Sequence, residues 1–286
     1  MSESATSRQD PSPSELDALL RLLDDDNPQV VAKVVERLGE FGGDISELIA
    51  SRPRRLSKKQ TALLTDILHK SRRENLLREW QVPSTGIVGL GEDWEAFESL
   101  LRTISDFLHD GMTCRQALSD ALDLLAEEAQ SAGVENTDQL RAFLFEGNLL
   151  KGNWHDQHDP RNSDLAWCVA EGRSNPIGLG VIFILVARRL ELVVEPVAFP
   201  RHFLCRIHED GRPIIVDCYR RGQTQDQDVL LESPDLTRAE RQALKRTADP
   251  GIILLRILNN LHHALGARGR HEDAELIDSL RSSLIC

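Results

Sequence analysis

The sequence predicts a helix-rich α+β protein with one small antiparallel sheet. Most of the chain after residue 13 has apolar residues spaced three or four apart, the period of a helix with one buried face. Aromatic residues make up only 5% of the chain, with a single Tyr, which favours aliphatic helical packing. The stretch from Val193 to Tyr219 instead contains a Glu-Asp-Gly turn between two apolar runs, and this pattern predicts a β-hairpin.

The longest apolar run predicts a buried helix from about residue 175 to residue 191. Between Ile177 and Leu192 the only charged residues are Arg188, Arg189 and Glu191, at the end where cations complement the helix dipole. Pro176 suits the first turn of a helix because its missing N–H would be unpaired there, and Asn175 or Ser174 can cap that turn. We therefore expect this helix at the centre of the core.

The predicted hairpin carries two residues with catalytic potential. Alternation along a strand places His202 and Leu204 on one face and Cys205 on the other, and Asp217 shares a face with Ile215 on the return strand. A buried helix followed by a strand with His and a strand with Asp is the arrangement that cysteine acyl-transfer enzymes use. In it, the helix N-terminus carries a thiolate, the His is its base, and the Asp orients the His.

Four segments in order resemble the bacterial transglutaminase-like family of the SirB type: DPRNS at 159–163, NPIGLGVIFILVARRLEL, FPRHFLCR and IIVDCY. The match covers about residues 140–222. The resemblance implies a papain-like transglutaminase core in which His202 and Asp217 are the base and the orienting acid. It also places the DPRNS loop near the substrate cleft, so the expected cleft residues are Asp159, Arg161, Asn162, Asn175 and Arg201.

The sequence departs from an active transglutaminase at the nucleophile. The corresponding position falls near Pro176 to Gly178, where there is no Cys. Cys168 precedes the helix, and the parity of the strands points Cys205 and Cys218 away from His202 and Asp217. Ser174 at a helix start is more often a cap than a nucleophile. The chain also has Arg201 where the family has Gly, and Cys218 where it has Pro.

These departures favour a non-catalytic scaffold or regulatory module that binds a protein or peptide. In that case His202 and Asp217 form a hydrogen-bonded pair that holds two strands in register. The alternative is a peptidase, amidase or transglutaminase that uses the two residues with an unrecognised Cys or an activated water. A third hypothesis is structural or regulatory self-association. The sequence predicts no cofactor and leaves the oligomeric state open.

Composition narrows the class of protein. The net charge of −12 over 286 residues argues against a nucleic-acid binder, which needs a positive surface. The N-terminus has no apolar signal, and the longest uncharged run, 175–187, is too short to cross a bilayer. The five cysteines form no paired motif, which favours the cytoplasm.

The domain organisation is predicted from composition and periodicity. We expect a disordered tail at 1–13, a helical HEAT-like region at 14–80, a linker at 81–91, the transglutaminase-like domain at 92–235 and a helical hairpin similar to a tetratricopeptide unit at 236–286, packed on the core. Within the transglutaminase-like domain, a helix is expected to open at Thr113.

The polar segment 153–170 has two interpretations. His155 and His158, with Asp156 and Asp159 beside them, make a metal site conceivable. The Asp159-Pro160 turn favours a solvated loop instead, in which Asp159 and Asn162 cap a helix from Ser163 to Ala170. We therefore predict no metal.

Overall fold

A computed structural model describes residues 11–23 and 25–285, and it confirms the helix-rich α+β class with a small antiparallel sheet. The chain divides into two compact units. Unit 1 runs to Glu79 and includes His109–Cys114, whereas unit 2 comprises Trp80–Leu108 and the chain from Arg115 onward. Most of the expected disordered tail, residues 1–10, lies outside the described residues.

Unit 1 contains helices α1 (Pro13–Leu22), α2 (Pro28–Gly39), α3 (Ser46–Ala50) and α4 (Lys58–Glu79). The α2 helix begins at Pro28 because the Asn27 side chain caps it, accepting a hydrogen bond from the Gln29 amide at 3.0 Å. The core of unit 1 is formed by the apolar stripes of these helices, including Leu16, Leu20, Val34, Leu38, Leu64 and Leu68. The HEAT-like assignment of the unit stays a prediction.

Unit 2 begins with helices α5 (Ile87–Leu90), α6 (Trp94–Leu108), α7 (Leu118–Ser131) and α8 (Thr137–Arg141), and a π-helical turn at Ala142–Glu146 follows. The expectation that a helix opens at Thr113 is wrong. The amide and hydroxyl of Thr113 bind the Asp110 carboxylate at 2.8 and 2.7 Å, which holds Thr113 in a turn. The helix therefore starts five residues later, at Leu118.

The central helix α10 (Pro176–Arg189) confirms the main prediction. Asn175 is its cap, with Oδ1 accepting from the Gly178 amide at 2.9 Å, and every residue from Ile177 to Ala187 is buried. It is preceded by strand β1 (Lys151–Gly152), a 3-10 turn (Pro160–Ser163), α9 (Leu165–Glu171) and strand β2 (Arg173–Ser174), which pairs in parallel with β1.

The antiparallel sheet has the order β3-β4-β5-β6. Its strands are β3 (Glu195–Val197), β4 (Leu204–Glu209), β5 (Arg212–Asp217) and β6 (Gln223–Asp226). The hairpin β4–β5 was predicted, and Asp210 and Gly211 at its tip both have positive φ, as a two-residue turn of this type requires. The short flanking strands β3 and β6 were not predicted.

The chain ends in helices α11 (Gln227–Leu231), α12 (Arg238–Leu244), α13 (Pro250–Ala267) and α14 (His271–Ser283). A capping box begins α12, where Thr237 and Glu240 bind each other's backbone amides. The likeness of α13 and α14 to a tetratricopeptide unit stays a prediction. None of the helices in the described part of the chain is long and apolar enough to cross a membrane.

Candidate functional site

The two predicted catalytic residues lie together in unit 2. His202 Nε2 is 3.0 Å from Asp217 Oδ2, and their side chains are 27% and 18% exposed. The carboxylate lies off the axis of the ring N–H, so this close contact is not a linear hydrogen bond. The other oxygen, Asp217 Oδ1, accepts from the Arg220 amide at 3.1 Å. Since Nε2 faces Asp217, Nδ1 is the ring nitrogen left for a substrate or ligand.

His202 does not lie on a strand, and this corrects the sequence analysis. It lies in a turn before β4, with its amide donating to the Phe199 carbonyl at 3.2 Å. Pro200 has no N–H to give to a strand ladder, and Arg201 has a φ of 59°, the left-handed region. The parity argument for His202 therefore fails. Cys205 is nevertheless remote from the ring, because its sulfur lies 3.7 Å from the Gly180 carbonyl in α10.

The positive φ at residue 201 explains why Gly precedes His in the family pattern. A non-Gly residue in this conformation costs about 1 kcal/mol, which Gly avoids. Arg201 keeps the conformation with a long charged side chain. Strained positions of this kind concentrate at functional sites.

An arginine that the sequence analysis missed holds this turn in place. Arg256 of α13 donates from Nη1 to the Phe199 carbonyl at 3.0 Å and from Nη2 to the His202 carbonyl at 2.9 Å. Burial lowers the pKa of its guanidinium below the ordinary value. The sequence did contain a signal, since Arg256 is the only Asp, Glu, Lys or Arg in α13.

A pocket of about 460 Å³ lies in front of His202. Of the predicted cleft residues, it is lined by Asp159, Asn175 and Arg201. It also has a wall from α13 that was not predicted, formed by Arg256, Asn260 and His263.

Arg161 and Asn162 do not line this pocket. The Asn162 side chain is buried, accepting from Asn153 Nδ2 at 2.9 Å and donating to the Asp156 and Gln157 carbonyls at 3.0 and 3.2 Å. Arg161 is exposed, with its guanidinium carbon 4.7 Å from the centroid of the Trp167 ring. Asn162 is therefore a structural residue that shapes the loop beside the pocket.

Asp159 connects this loop to the pocket. Its carboxylate accepts from the Arg161 guanidinium at 2.7 Å and from the Arg161 amide at 2.9 Å. Burial by itself would raise the pKa of Asp159, but these bonds and the charge of Arg161 outweigh burial and lower that pKa. Asp159 caps the 3-10 turn, while Asp164 caps α9 through the Trp167 amide at 3.0 Å, so the predicted capping of α9 by Asp159 and Asn162 is wrong.

The described cysteines are the candidates for a thiol nucleophile. Cys168 is buried and its sulfur lies 3.1 Å from Ser174 Oγ; burial raises its pKa far above the ordinary value. Cys205 and Cys218 are buried with their sulfurs 3.8 Å apart, and burial followed by the contact with Cys205 raises the pKa of Cys218. Cys114 is exposed but belongs to unit 1, and Cys286 lies outside the described residues.

The start of α10 has no room for the missing cysteine at Gly178. A Cβ added there would lie 2.1 Å from Ser174 Oγ. Ser174 itself donates to the Asn162 carbonyl at 3.0 Å, which is a structural role. Within residues 11–23 and 25–285, no thiol or hydroxyl is hydrogen-bonded to the His202 ring.

The conceivable metal site has no structural support in the part of the chain that the structure describes. No group of three or more His, Cys, Asp or Glu side chains there is arranged to hold a metal ion. His155 and His158 are exposed, and Asp156 pairs with Arg268 instead.

A helix capped beside a His–Asp pair, with the sheet following in the chain, is the arrangement of residues that cysteine acyl-transfer enzymes use. The comparisons then give the family. Residues 113–259 match the family model described as the transglutaminase-like superfamily, so the chain belongs to that superfamily.

Several curated proteins are similar to part of the chain. A UPF0162 protein of Xylella fastidiosa is 36% identical over 139 residues, which cover 46% of this chain and 50% of the relative. A UPF0162 protein of Pseudomonas aeruginosa is 31% identical over 38% of this chain and 41% of its own length. Mouse F-box only protein 21 is 28% identical over 29% of this chain and 13% of its own. The chain thus spans about half or less of these relatives, and no solved structure matches it.

Proposed function

We propose that the protein is a non-catalytic transglutaminase-like module of the SirB type, whose cleft binds a protein or peptide partner. The observation that carries this proposal is a His202–Asp217 pair that faces a pocket of about 460 Å³ without a thiol or hydroxyl bonded to the ring among the described residues. General base catalysis needs the base within hydrogen-bond reach of the group it activates.

The state of the thiols supports the same proposal. The described cysteines of unit 2 are all buried, and a nucleophilic cysteine requires a thiolate. Burial acts against the thiolate of Cys168 and of Cys218 by raising their pKa values. A buried thiol of this kind is a packing residue.

An exposed aromatic pair beside the dyad supports a peptide as the ligand. Trp154 is 58% exposed, and its ring centroid lies 4.2 Å from that of Tyr219. The Tyr219 ring in turn approaches His202 edge-on at 6.4 Å. Exposed Trp side chains are frequent energetic anchors of protein interfaces. We propose that Trp154 forms one side of the peptide site, and that α13–α14, which carry one wall of the pocket, add contacts with the partner protein.

The test combines a turnover assay with a binding assay on the full chain. We expect no hydrolysis or transfer on glutamine-containing amide substrates, and loss of bound peptide in Trp154→Ala. Val229→Ala, which removes an equally exposed apolar side chain from α11, is the matched control and should bind normally. Turnover that disappears in His202→Ala would refute the non-catalytic assignment.

An amidase or peptidase that uses water is the second candidate. The observation in its favour is the half-buried dyad itself, because Asp217 leaves His202 Nδ1 available to orient a water at the pocket. The turnover assay separates the two candidates, since only this one requires a rate that depends on His202.

A further inference from the structure

The pocket wall formed by Arg201, His202 and Arg256 carries positive charge, whereas the molecule as a whole is negatively charged. The chain carries a net charge of −12, yet both arginines that line the pocket lack a carboxylate within 4.0 Å among the described residues. The lining includes one acidic residue, Asp159, and the guanidinium of Arg161 already neutralises it at 2.7 Å. The other titratable groups at the wall are His158, His263 and the Asp217 behind His202.

The hydrogen bonds of Arg256 to the turn use only part of its N–H donors. A guanidinium carries five N–H groups, and the bonds to the Phe199 and His202 carbonyls use two of them. Carbonyl oxygens do not neutralise a positive charge, so a half-buried cation remains at the pocket. A planar guanidinium of this kind matches the two oxygens of a carboxylate.

Arg201 is the second donor. Its backbone adopts a φ of 59°, where Gly would be unstrained, and its side chain lines the pocket. Arg201 acts at a distance on Glu240, whose pKa is lowered chiefly by hydrogen bonds to Thr237 and only then by the charge of Arg201. The carboxylate of Glu240 is thus bound to its own helix cap, and the Arg201 guanidinium stays available.

We propose that this wall binds a carboxylate of the partner peptide, either its C-terminal carboxylate or an internal Glu or Asp side chain. The inference deepens the proposed function and rests on it. Asp217 lies against His202 and Arg220 and not against either arginine of the wall, and the phosphoserine pool in the experiment below distinguishes a carboxylate from a phosphate. The anion would lie at the start of α10, where the active enzymes of the fold stabilise a thiolate.

The experiment uses four random decapeptide pools and the full chain. The first pool has free C-terminal carboxylates and only uncharged side chains. The second is the same pool amidated, the third is amidated with a fixed central Glu, and the fourth is amidated with a fixed central phosphoserine. Bound peptide is quantified by mass spectrometry after equilibrium capture on immobilised protein. The first and third pools distinguish the two sources of a carboxylate.

We expect the first pool, the third or both to bind at least tenfold more tightly than the second. Arg256→Met should abolish this preference, whereas Arg188→Met, which removes an exposed arginine at the opposite end of α10, should keep it. Because Arg256 also anchors a turn, Arg201→Gly provides a second variant that relieves backbone strain. It should weaken the preference severalfold, and its matched control Arg221→Gly, with a φ of 58° outside the pocket, should not.

The remaining outcomes would overturn the carboxylate proposal alone or both proposals. Equal binding of the first three pools, lost in Trp154→Ala, would overturn carboxylate recognition and leave the peptide-binding function standing. Preference for the phosphoserine pool would assign a phosphate instead and overturn the carboxylate. Failure of all pools to bind would overturn both proposals.

Discussion

The pocket has two polar walls that are built in opposite ways. The loop wall is formed by Gln157, His158, Asp159 and Ser163, and Arg161 of the same loop binds the Asp159 carboxylate. Asn162, behind this wall, also has its hydrogen-bonding groups matched within the loop. On the turn wall, formed by Arg201, His202, Phe203 and Arg256, the two arginines have no acidic partner among the described residues, and His202 faces the cavity. Both walls contain residues expected from the family pattern, but only the turn wall has charged groups that lack an acidic partner among the described residues.

The two walls thus distinguish polar groups that stabilise the fold from charged groups that can bind a ligand. A buried polar group whose partners are present stabilises one conformation of the chain, and its removal leaves those partners unsatisfied. A charged group that is half-buried without an opposite charge lowers stability unless a ligand supplies that charge. Substitutions on the loop wall should therefore cost stability, and those on the turn wall should cost binding.

The largest expected effect is behind the loop wall. Asn162→Ala removes the acceptor of Asn153 and the donor to two carbonyls at a side chain that is 1% exposed. We expect a loss of about 3 kcal/mol in the free energy of unfolding, measured by urea denaturation. Arg161→Ala, an exposed neighbour, should cost less than about 1 kcal/mol. Similar losses in the two variants would contradict the structural role of Asn162.

The second prediction concerns the support of the turn wall. A Cβ at Gly180 would lie 2.6 Å from the Phe203 ring, which is buried under the turn. We expect Gly180→Ala to cost about 2 kcal/mol through overpacking and to weaken peptide binding, because the turn must move. Gly266→Ala is the control, since nothing lies within 4 Å of its added Cβ. If Gly180→Ala leaves stability and binding unchanged, α10 does not position the turn.

The third prediction is a pH dependence. The pKa of Asp159 is lowered in the folded state, so its contribution to stability is full above the ordinary value of about 4 and is lost as pH falls through the folded pKa. Asp159→Asn should therefore reduce stability at neutral pH and flatten the fall in stability below about pH 4. Denaturation series at several pH values measure both effects. An unchanged acid slope would show that the Arg161 pair contributes nothing.

The smallest expected effect is a gain in stability, whereas the variants above lose stability. Arg201→Gly should raise the free energy of unfolding by about 0.5 kcal/mol, because relief of the left-handed strain exceeds the entropy cost of Gly. Arg221→Gly should gain a similar amount, so that binding is the property that distinguishes the two variants. A destabilised Arg201→Gly would mean that the arginine side chain stabilises the unliganded fold.

Local signals predicted the centre of the fold well. The apolar run and the Asn175 cap are sufficient to define α10, and the Asp210-Gly211 pair fixes the tip of the β4–β5 hairpin. Family resemblance then indicated His202 and Asp217, which the structure brings to 3.0 Å.

The sequence could not define the elements that depend on distant partners. The strand β3, three residues long, pairs with β4 and was missed because so short an element has no periodicity of its own. The strand parity that placed His202 failed because a turn at Pro200 and Arg201 comes between. Arg256 lies 54 residues from His202, so only the fold shows that it belongs to the site.

The most direct test of the non-catalytic cleft is a map of thiol reactivity in the native protein. After brief treatment with iodoacetamide, peptide mapping should find Cys114 modified and Cys168, Cys205 and Cys218 protected until denaturant is added. The pattern should be the same in His202→Ala. Rapid modification of one thiol, Cys286 included, that depends on His202 would show that the dyad activates a nucleophile and would contradict the account.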